Sequence, residues 1–318
     1  MNIDSIIVKK NDSIGFCAII ALCQNPDSHS SALGGLRCLD VDFYTAIEDV
    51  QRLARSMHQK AQIHNIPHFG GKSFLLEPKA EHRDACLQQL AQCINELKGR
   101  YIVSWDSGIT NHDLALIKQH SPYVANYDSS NKCGLATATT VFHAITAALA
   151  SKNQNLLGAK IAIQGLGSVG GALAQLCLNA GALVFATEIN PTVAKTWNNR
   201  VHLVSEASLF TMQADVFAPC ALSNAITSDR IKDFNCSIIC GGANNQLSSS
   251  SLARELHERD ILYIPEILAN IGGLWLQSHY YHKPFIHLNF DVFSSVRNTT
   301  HQLIEQAKIK SCPILELL

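Results

Sequence analysis

The stretch Lys160-Ile161-Ala162-Ile163-Gln164, running into Gly165-Leu166-Gly167-Ser168-Val169-Gly170, decides the reading of this chain. A short apolar run of strand length leads into a G-x-G-x-x-G turn, and residues 169–180 follow with helical periodicity. Each glycine has a physical reason. The first permits a tight turn out of the strand, and the second lets backbone N–H groups approach a pyrophosphate. The third lets the helix pack closely on the sheet with its N-terminus facing the negative charge. Residues 183–186 read as a second strand, closed by Glu188. A carboxylate there accepts ribose hydroxyl hydrogens and repels a 2′-phosphate, so the pattern predicts NAD rather than NADP.

The same rhythm extends outward. Short apolar strands recur at 216–217, 237–240 and 262–264, as in a doubly wound parallel sheet. Upstream, residues 135–150 read as a long Ala- and Thr-rich helix, and 151–155 as an exposed loop. The first third alternates strand, helix, strand, helix, strand. Residues 14–23 form a strand, and 44–59 an amphipathic helix with Ala46, Val50, Leu53, Ala54 and Met57 at helical spacing. Residues 73–76 follow a glycine turn as a strand, 85–97 are helical, and 101–105 form a strand. One last helix is expected over about 290–309. The fold class is therefore α/β, in two domains.

Composition narrows the function. A chain of 318 residues suits about two domains. The 25 basic and 26 acidic residues leave a net charge of −1, so there is no electrostatic footprint for nucleic acid and no polybasic run for an anionic membrane. The apolar run from Phe16 to Cys23 falls far short of the roughly 20 residues that span a bilayer, and the start lacks a positively charged leader. A cytoplasmic protein is expected. Charged residues make up only 16%, against roughly 25% in an average soluble domain, which points to extensive burial, including a subunit interface. The 11 cysteines include no CxxC pair and read as buried free thiols. His279, His282 and His287 lack the i, i+4 pairing with a carboxylate of a helical zinc site, so no metal is expected.

Three charged residues of the first domain stand out. Lys60 ends the predicted helix at 44–59, and Lys72 follows Gly70 and Gly71. A lysine buried near a second cation loses proton affinity and offers a neutral amine near neutral pH. Asp106 ends the Tyr101–Trp105 strand ahead of Ser107 and Gly108, where a carboxylate is well placed for proton transfer.

Many stretches in order resemble the glutamate/leucine/phenylalanine/valine dehydrogenases, and most closely their leucine dehydrogenases. They are Leu33-Gly34-Gly35-Leu36-Arg37, the segment 46–60, Gly70-Gly71-Lys72, Asp106-Ser107-Gly108, Thr137, the glycine-rich turn and Thr187-Glu188-Ile189-Asn190. Ala218-Pro219-Cys220-Ala221-Leu222, Gly242-Ala243-Asn244-Asn245-Gln246-Leu247 and Asn270-Ile271-Gly272-Gly273 continue the series. The resemblance implies an N-terminal α/β substrate and oligomerisation domain over 1–132, joined by a C-terminal helix at about 290–318. A Rossmann NAD-binding domain would span 133–289, with a cleft between the two. It implies reversible, NAD-dependent oxidative deamination of a hydrophobic (branched-chain or aromatic) L-amino acid to its 2-oxo acid and ammonia, in a homodimer or larger homo-oligomer. Lys60 would hold the substrate carboxylate, Lys72 would polarise the 2-oxo group and activate water, and Asp106 would shuttle protons. Gly34, Gly35, Ser104, Asn270, Val292 and Ser295 would line the substrate. Thr137, Gly165, Gly167, Ser168, Val169, Gly170, Glu188, Ala218, Cys220, Ala243, Asn244 and Asn270 would line the cofactor.

The chain also departs from the pattern. Lys72 follows Gly71 directly, His64 and His68 stand in the preceding loop, and Trp105 replaces an acidic residue before Asp106. Ser104 places a hydroxyl where a small apolar residue is expected, which disfavours a purely aliphatic substrate. The segment after Asn270 is about half the family's usual length, so substrate choice and assembly transfer less securely than reaction type. These departures keep two alternatives open: a non-catalytic NAD-binding paralogue, or the same fold acting on another imine or carbonyl.

Overall fold

A computed structural model of the chain describes residues 3–23, 30–125, 132–221, 223–281 and 293–318. It divides into two compact units: Met1–Ser130 with Leu274–Ile286, and Asn131–Gly273 with His287–Leu318.

The first unit is built on a five-stranded mixed sheet. In chain order its elements are β1 (Ser5–Asn11), β2 (Phe16–Leu22), β3 (Ala32–Leu39), α1 (Phe43–Ile63), β4 (Phe69–Leu76), α2 (Arg83–Glu96), β5 (Tyr101–Trp105) and α3 (Asn111–His120). The spatial strand order is β1-β2-β4-β3-β5. β1 and β4 run antiparallel to β2, whereas β4 and β5 run parallel to β3. The side-chain alternation of a strand sorts the sheet into two faces. Leu36, Tyr101 and Val103 pack with Leu87, Leu90 and Ile117 against α2 and α3. Ile19, Ala21 and Phe74 pack on the other face against Ala46, Val50 and Ala54 of α1. Asp42 caps α1 by accepting from the Tyr44 and Thr45 amides. Ala46, Val50, Ala54 and His58 recur every fourth residue and form the stripe that meets the sheet.

Two expectations for this unit change. Gly70 and Gly71 lie inside β4 and not in a turn ahead of it. A Cβ on Gly70 would sit 2.2 Å from the Ala54 carbonyl oxygen, so only glycine lets this strand close on α1. β1, β3 and α3 are additions. In particular, the glycine pair at Gly34 and Gly35 sits in a strand.

The second unit carries a six-stranded parallel sheet. Its elements are α4 (Lys132–Ser151), β6 (Lys160–Gln164), α5 (Ser168–Asn179), β7 (Leu183–Thr187), α6 (Pro191–Trp197), β8 (His202–Leu203), α7 (Glu206–Thr211) and β9 (Ala214–Pro219). β10 (Cys236–Ile239), α8 (Leu252–Glu258), β11 (Leu262–Tyr263) and α9 (Glu266–Ala269) follow. α10 (Gly272–Tyr280), most of which falls in the first unit, and α11 (Ser294–Lys310), in the second, complete the α-helices among the described residues. Strand order is β11-β10-β9-β6-β7-β8, so the topology reverses between β6 and β9. Phe210, Phe217 and Phe234 form a ring cluster with centroids 5.1–5.5 Å apart in the core beside α7 and α8.

α4 is long and apolar enough to cross a membrane by composition, but it packs against α5 and α11, and 56% of that stretch is buried. The last helix corrects the expected domain division. α11 belongs to the second unit, where it lies on α4, and does not join the first. Its buried stripe Val296, Thr300, Ile304 and Ala307 requires that partner. Beyond α11, Arg254 of α8 grips both carboxylate oxygens of Glu316 at 2.5 and 2.6 Å. All 11 cysteines are free.

Candidate active site

In the first unit, alternation brings the predicted charged residues to one face. Gly35 pairs with Ser104 across β3 and β5, and Arg37 pairs with Phe74 across β3 and β4. Phe74 packs on α1, so the odd positions of β3 and the even positions of β4 and β5 share the α1 face. Lys72 and Ser104 occupy that face, and α1 contributes Lys60. All three are buried, with Lys60 7%, Lys72 5% and Ser104 3% exposed.

Asp106 follows β5 and contacts the Lys72 ammonium directly through Oδ2. Its Oδ1 accepts from the Ser107 amide at 2.6 Å and the Ser107 hydroxyl at 3.1 Å. Gly35 makes room for it, since a Cβ there would fall 2.8 Å from Asp106 Cβ. Gly108 has φ +79°, and a Cβ on it would strike the Cys38 carbonyl at 1.7 Å, so the Asp-Ser-Gly turn needs that glycine. Arg83 holds the turn from outside by donating to the Gly108 carbonyl at 2.7 Å and to Asp113 at 2.7 and 3.2 Å. Burial and the Arg37 charge, with added repulsion from Lys60 and Arg52, hold the Lys72 ammonium well below the usual lysine range against the opposing pull of Asp49. The expected repulsion between lysines is present, but burial and Arg37 exceed it.

Gly34 and Gly35 interrupt the β3–β4 register, which runs through Leu33–Gly70 and resumes at Leu36–Ser73. Tyr101 donates to the Gly34 carbonyl at 2.9 Å and pairs with the Ser73 hydroxyl at 2.9 Å, which fixes that backbone from the α2 face. Burial keeps the Tyr101 phenol protonated, as that donor role requires.

Four residues absent from the expected set join the cluster. Arg37 donates to Asp49 at 2.8 Å and approaches Asp106 Oδ1 at 3.6 Å. Asp49 also takes Arg52 at 2.5 Å. His58, 4% exposed, accepts from the Gly70 amide through Nδ1 at 3.2 Å and stacks on Phe69 with ring centroids 5.5 Å apart. A signal for them existed. Arg37 alternates with Gly35, and Asp49 and Lys60 stand three helical turns apart on one side of α1.

In the second unit the expected cofactor residues gather at the carboxyl ends of the parallel strands, beside the reversal between β6 and β9. Gly165 has φ +89° and turns the chain out of β6. A Cβ on Gly170 would lie 1.9 Å from the Gly165 carbonyl oxygen, so this glycine allows α5 to start against the turn. Gly167 faces open space, and no side chain caps α5, which begins at Ser168 and Val169. Those features fit a pyrophosphate. Glu188 follows β7 and accepts from the Leu166 amide at 2.7 Å and the Asn190 amide at 2.8 Å, which places its carboxylate beside the turn.

Cys220 closes β9 under the turn, its thiol pushed up to about 12 by burial. Ala218 is buried in β9 beside Ile163. The Ala243 amide donates to the Pro219 carbonyl at 2.9 Å. Asn270 donates to the Gly242 carbonyl at 3.1 Å and Asn244 Oδ1 at 3.0 Å, while its own Oδ1 is buried with no partner among the described residues. That orphaned acceptor suits a carboxamide N–H donor such as the nicotinamide's. Thr137 accepts from the Gly273 amide at 3.1 Å. Ser295 is exposed in the first turn of α11, and Val292, His282 and His287 lie outside the described residues. Among the described residues no group of three or more metal-ligating side chains forms.

Known proteins resemble this chain over most of its length. The profile of glutamate/leucine/phenylalanine/valine dehydrogenase matches residues 187–281. L-tryptophan dehydrogenase of Nostoc punctiforme is 33% identical over 264 residues, covering 81% of this chain and 74% of that protein. Phenylalanine dehydrogenase of Lysinibacillus sphaericus is 32% identical over 286 residues (84% and 74%). Leucine dehydrogenase of Thermoactinomyces intermedius is 31% identical over 281 residues (85% and 76%). The crystal structure of the Nostoc enzyme superposes with a TM-score of 0.83 at 28% identity, over 98% of this chain and 93% of that one. The fold and these relatives define an amino acid dehydrogenase, an oxidoreductase acting on a CH–NH2 group. The chain belongs to the glutamate/leucine/phenylalanine/valine dehydrogenase family.

Proposed function

We propose that this protein catalyses the reversible, NAD-dependent oxidative deamination of a hydrophobic L-amino acid, releasing the 2-oxo acid and ammonia. The observation that carries the reading is the buried Lys72 in contact with Asp106, with Lys60 adding its charge on the same sheet face. Bound NAD supplies the acceptor for the substrate Cα hydride. The chain's own residues do the rest. Lys60 pairs with the substrate α-carboxylate. Asp106 takes the proton from the substrate ammonium, so that the amine nitrogen can form a double bond to Cα. Lys72, whose hold on a proton is weakened by burial and by the Arg37 charge, takes a proton from the water that adds to the imine carbon. As the carbonyl forms and the C–N bond breaks, Asp106 returns its proton to the departing nitrogen, and the ammonium of Lys72 stabilises the oxygen. The backbone at Gly34 and Gly35 approaches the substrate without side chains in the way.

The intact Lys72–Asp106 contact favours turnover over a cofactor-binding protein without activity. In the second unit, Gly165, Gly167 and Gly170 would hold the pyrophosphate with the amides of Ser168 and Val169, and Glu188 the adenosine ribose. Asn270, Asn244, Thr137, Ala218, Cys220 and Ala243 would surround the nicotinamide half. Ser104 would lie along the substrate side chain. Its buried hydroxyl favours an aromatic or otherwise polarisable side chain over a purely aliphatic one. Val292 and Ser295 carry no weight in this reading. A homo-oligomer of cytoplasmic location completes the proposal, and light scattering on purified protein reads the assembly.

The test is a panel of L-amino acids with NAD, and of 2-oxo acids with ammonia and NADH, followed by the absorbance of the reduced nicotinamide. Turnover with hydrophobic amino acids is expected. No turnover with any of them, under conditions where NAD binding is measured, would overturn the proposal.

A further inference from the structure

The cluster on the α1 face forms a chain of alternating charge: Arg52, Asp49, Arg37, Asp106, Lys72. Arg52 donates to Asp49 at 2.5 Å, Arg37 donates to the other Asp49 oxygen at 2.8 Å and reaches Asp106 at 3.6 Å, and Asp106 touches Lys72. It runs from a half-exposed arginine on the outside of α1 to a lysine with almost no solvent contact. The two oxygens of Asp106 are divided between its neighbours. Oδ1 takes Arg37 and the Ser107 donors, and Oδ2 is left to Lys72. Arg37 Nε is buried with no partner among the described residues. Its terminal guanidinium nitrogens are the ones that face the two carboxylates.

We propose that Arg37, anchored by Asp49, is a positioning residue for the reaction: with the Ser107 donors it engages one oxygen of the Asp106 carboxylate and so turns the other toward Lys72. The proposal rests on the reading of Lys72 and Asp106 as the catalytic pair. The charges facing Lys72 come from every element packed on that part of β4. Arg37 comes from β3, Asp49, Arg52 and Lys60 from α1, and Asp106 from the end of β5, while β2 presents Ile19, Ala21 and Cys23. His58, also on α1, is held neutral chiefly by burial. Arg37 opposes a charged Lys72 and Asp49 favours it, so the two partners of one ion pair act on the lysine with opposite sign.

That opposition gives a test that structural damage cannot imitate. Arg37→Met removes a repelling cation and leaves Asp49 less neutralised, and both changes favour the charged lysine. The acidic limb of the kcat/KM profile should move up by about one pH unit, with kcat at neutral pH down at least about tenfold. Asp49→Asn breaks the same ion pair but removes an attracting anion, so the limb should move down. Arg37→Lys keeps the charge without the fork, so the limb should stay in place while kcat falls. Competitive acylation of Lys72 across pH, read by mass spectrometry of the peptide that carries it, reports the neutral amine without turnover. Its midpoint should rise in Arg37→Met and fall in Asp49→Asn. Midpoints that move together, or that stay where they are, overturn the proposal. If the wild type turns over no substrate, the proposed function fails, and the acylation midpoints still decide whether Arg37 governs Lys72.

Discussion

The two units solve the problem of binding with different materials. The site in the first unit is made of ionised side chains, with Lys60, Lys72, Asp106, Arg37 and Asp49 drawn together on one sheet face. The site in the second is made mostly of backbone, in which three glycines, an uncapped helix start and one carboxylate do the work. Charges placed in a poorly hydrated setting alter one another's protonation, so the first site depends on pH and on small displacements. A backbone cradle has no protons to lose and depends only on whether the chain can approach closely enough.

Substitutions can break this contrast. The largest effect is expected from Asp106→Asn, which keeps shape and removes the proposed base. Turnover should fall about 10²–10⁴-fold, with NAD affinity by titration calorimetry held within a few-fold. A comparable loss of NAD binding would mean that the two sites are not separable in this way. Gly170→Val should do the reverse. Its side chain would collide with the Gly165 carbonyl, so NAD binding should drop at least about tenfold and the thermal midpoint should fall. Gly167→Ala should leave the thermal midpoint in place, because Gly167 faces open space, and an equal fall of that midpoint in both variants would contradict the packing argument.

Glu188→Ala comes next. If the carboxylate discriminates against a 2′-phosphate, the ratio of kcat/KM for NAD over NADP should drop by about an order of magnitude. An unchanged ratio would remove Glu188 from cofactor choice.

The smallest effect sharpens the comparison from the side of pH. His58 stays neutral in the folded chain because burial lowers its pKa from 6.5, and its Nδ1 must remain free to accept from Gly70. The unfolded chain binds that proton first. This contribution to stability is therefore complete above about pH 6.5 and is lost as the pH falls from there toward the lowered folded value. Denaturant titrations at several pH values should show this slope in wild type. His58→Asn, which retains an acceptor, should flatten it, and His58→Ala should cost about 1–3 kcal/mol at neutral pH. A slope that survives in His58→Asn would assign it to another group.

The contrast also explains what could be read in advance. The strand and helix around the glycine-rich turn fall within a residue or two of their expected limits, because turn, strand and helix are each set by neighbours in sequence. Gly70 and Gly71 misled for the opposite reason. Glycines beside a lysine suggest a turn, and only the approach of Ala54 and His58 from α1 shows why a strand must be bare at that point. The direct Gly71–Lys72 junction likewise looked like a displacement of the lysine, yet β4 delivers it to Asp106. The apolar stripe of α11 says that the helix needs a partner and not which one, and only its packing on α4 puts it in the second unit and not where the resemblance implies.

Sequence alone therefore determined the α/β class, the parallel sheet with its glycine-rich turn, and the identity of Lys60, Lys72 and Asp106 as the residues to watch. Those readings depend on local spacing and on residue chemistry. Tertiary structure decided which charges meet. Arg37 and Asp49 enter the cluster through strand register and helix azimuth, and they act on Lys72 because burial weakens the screening that would separate them in water.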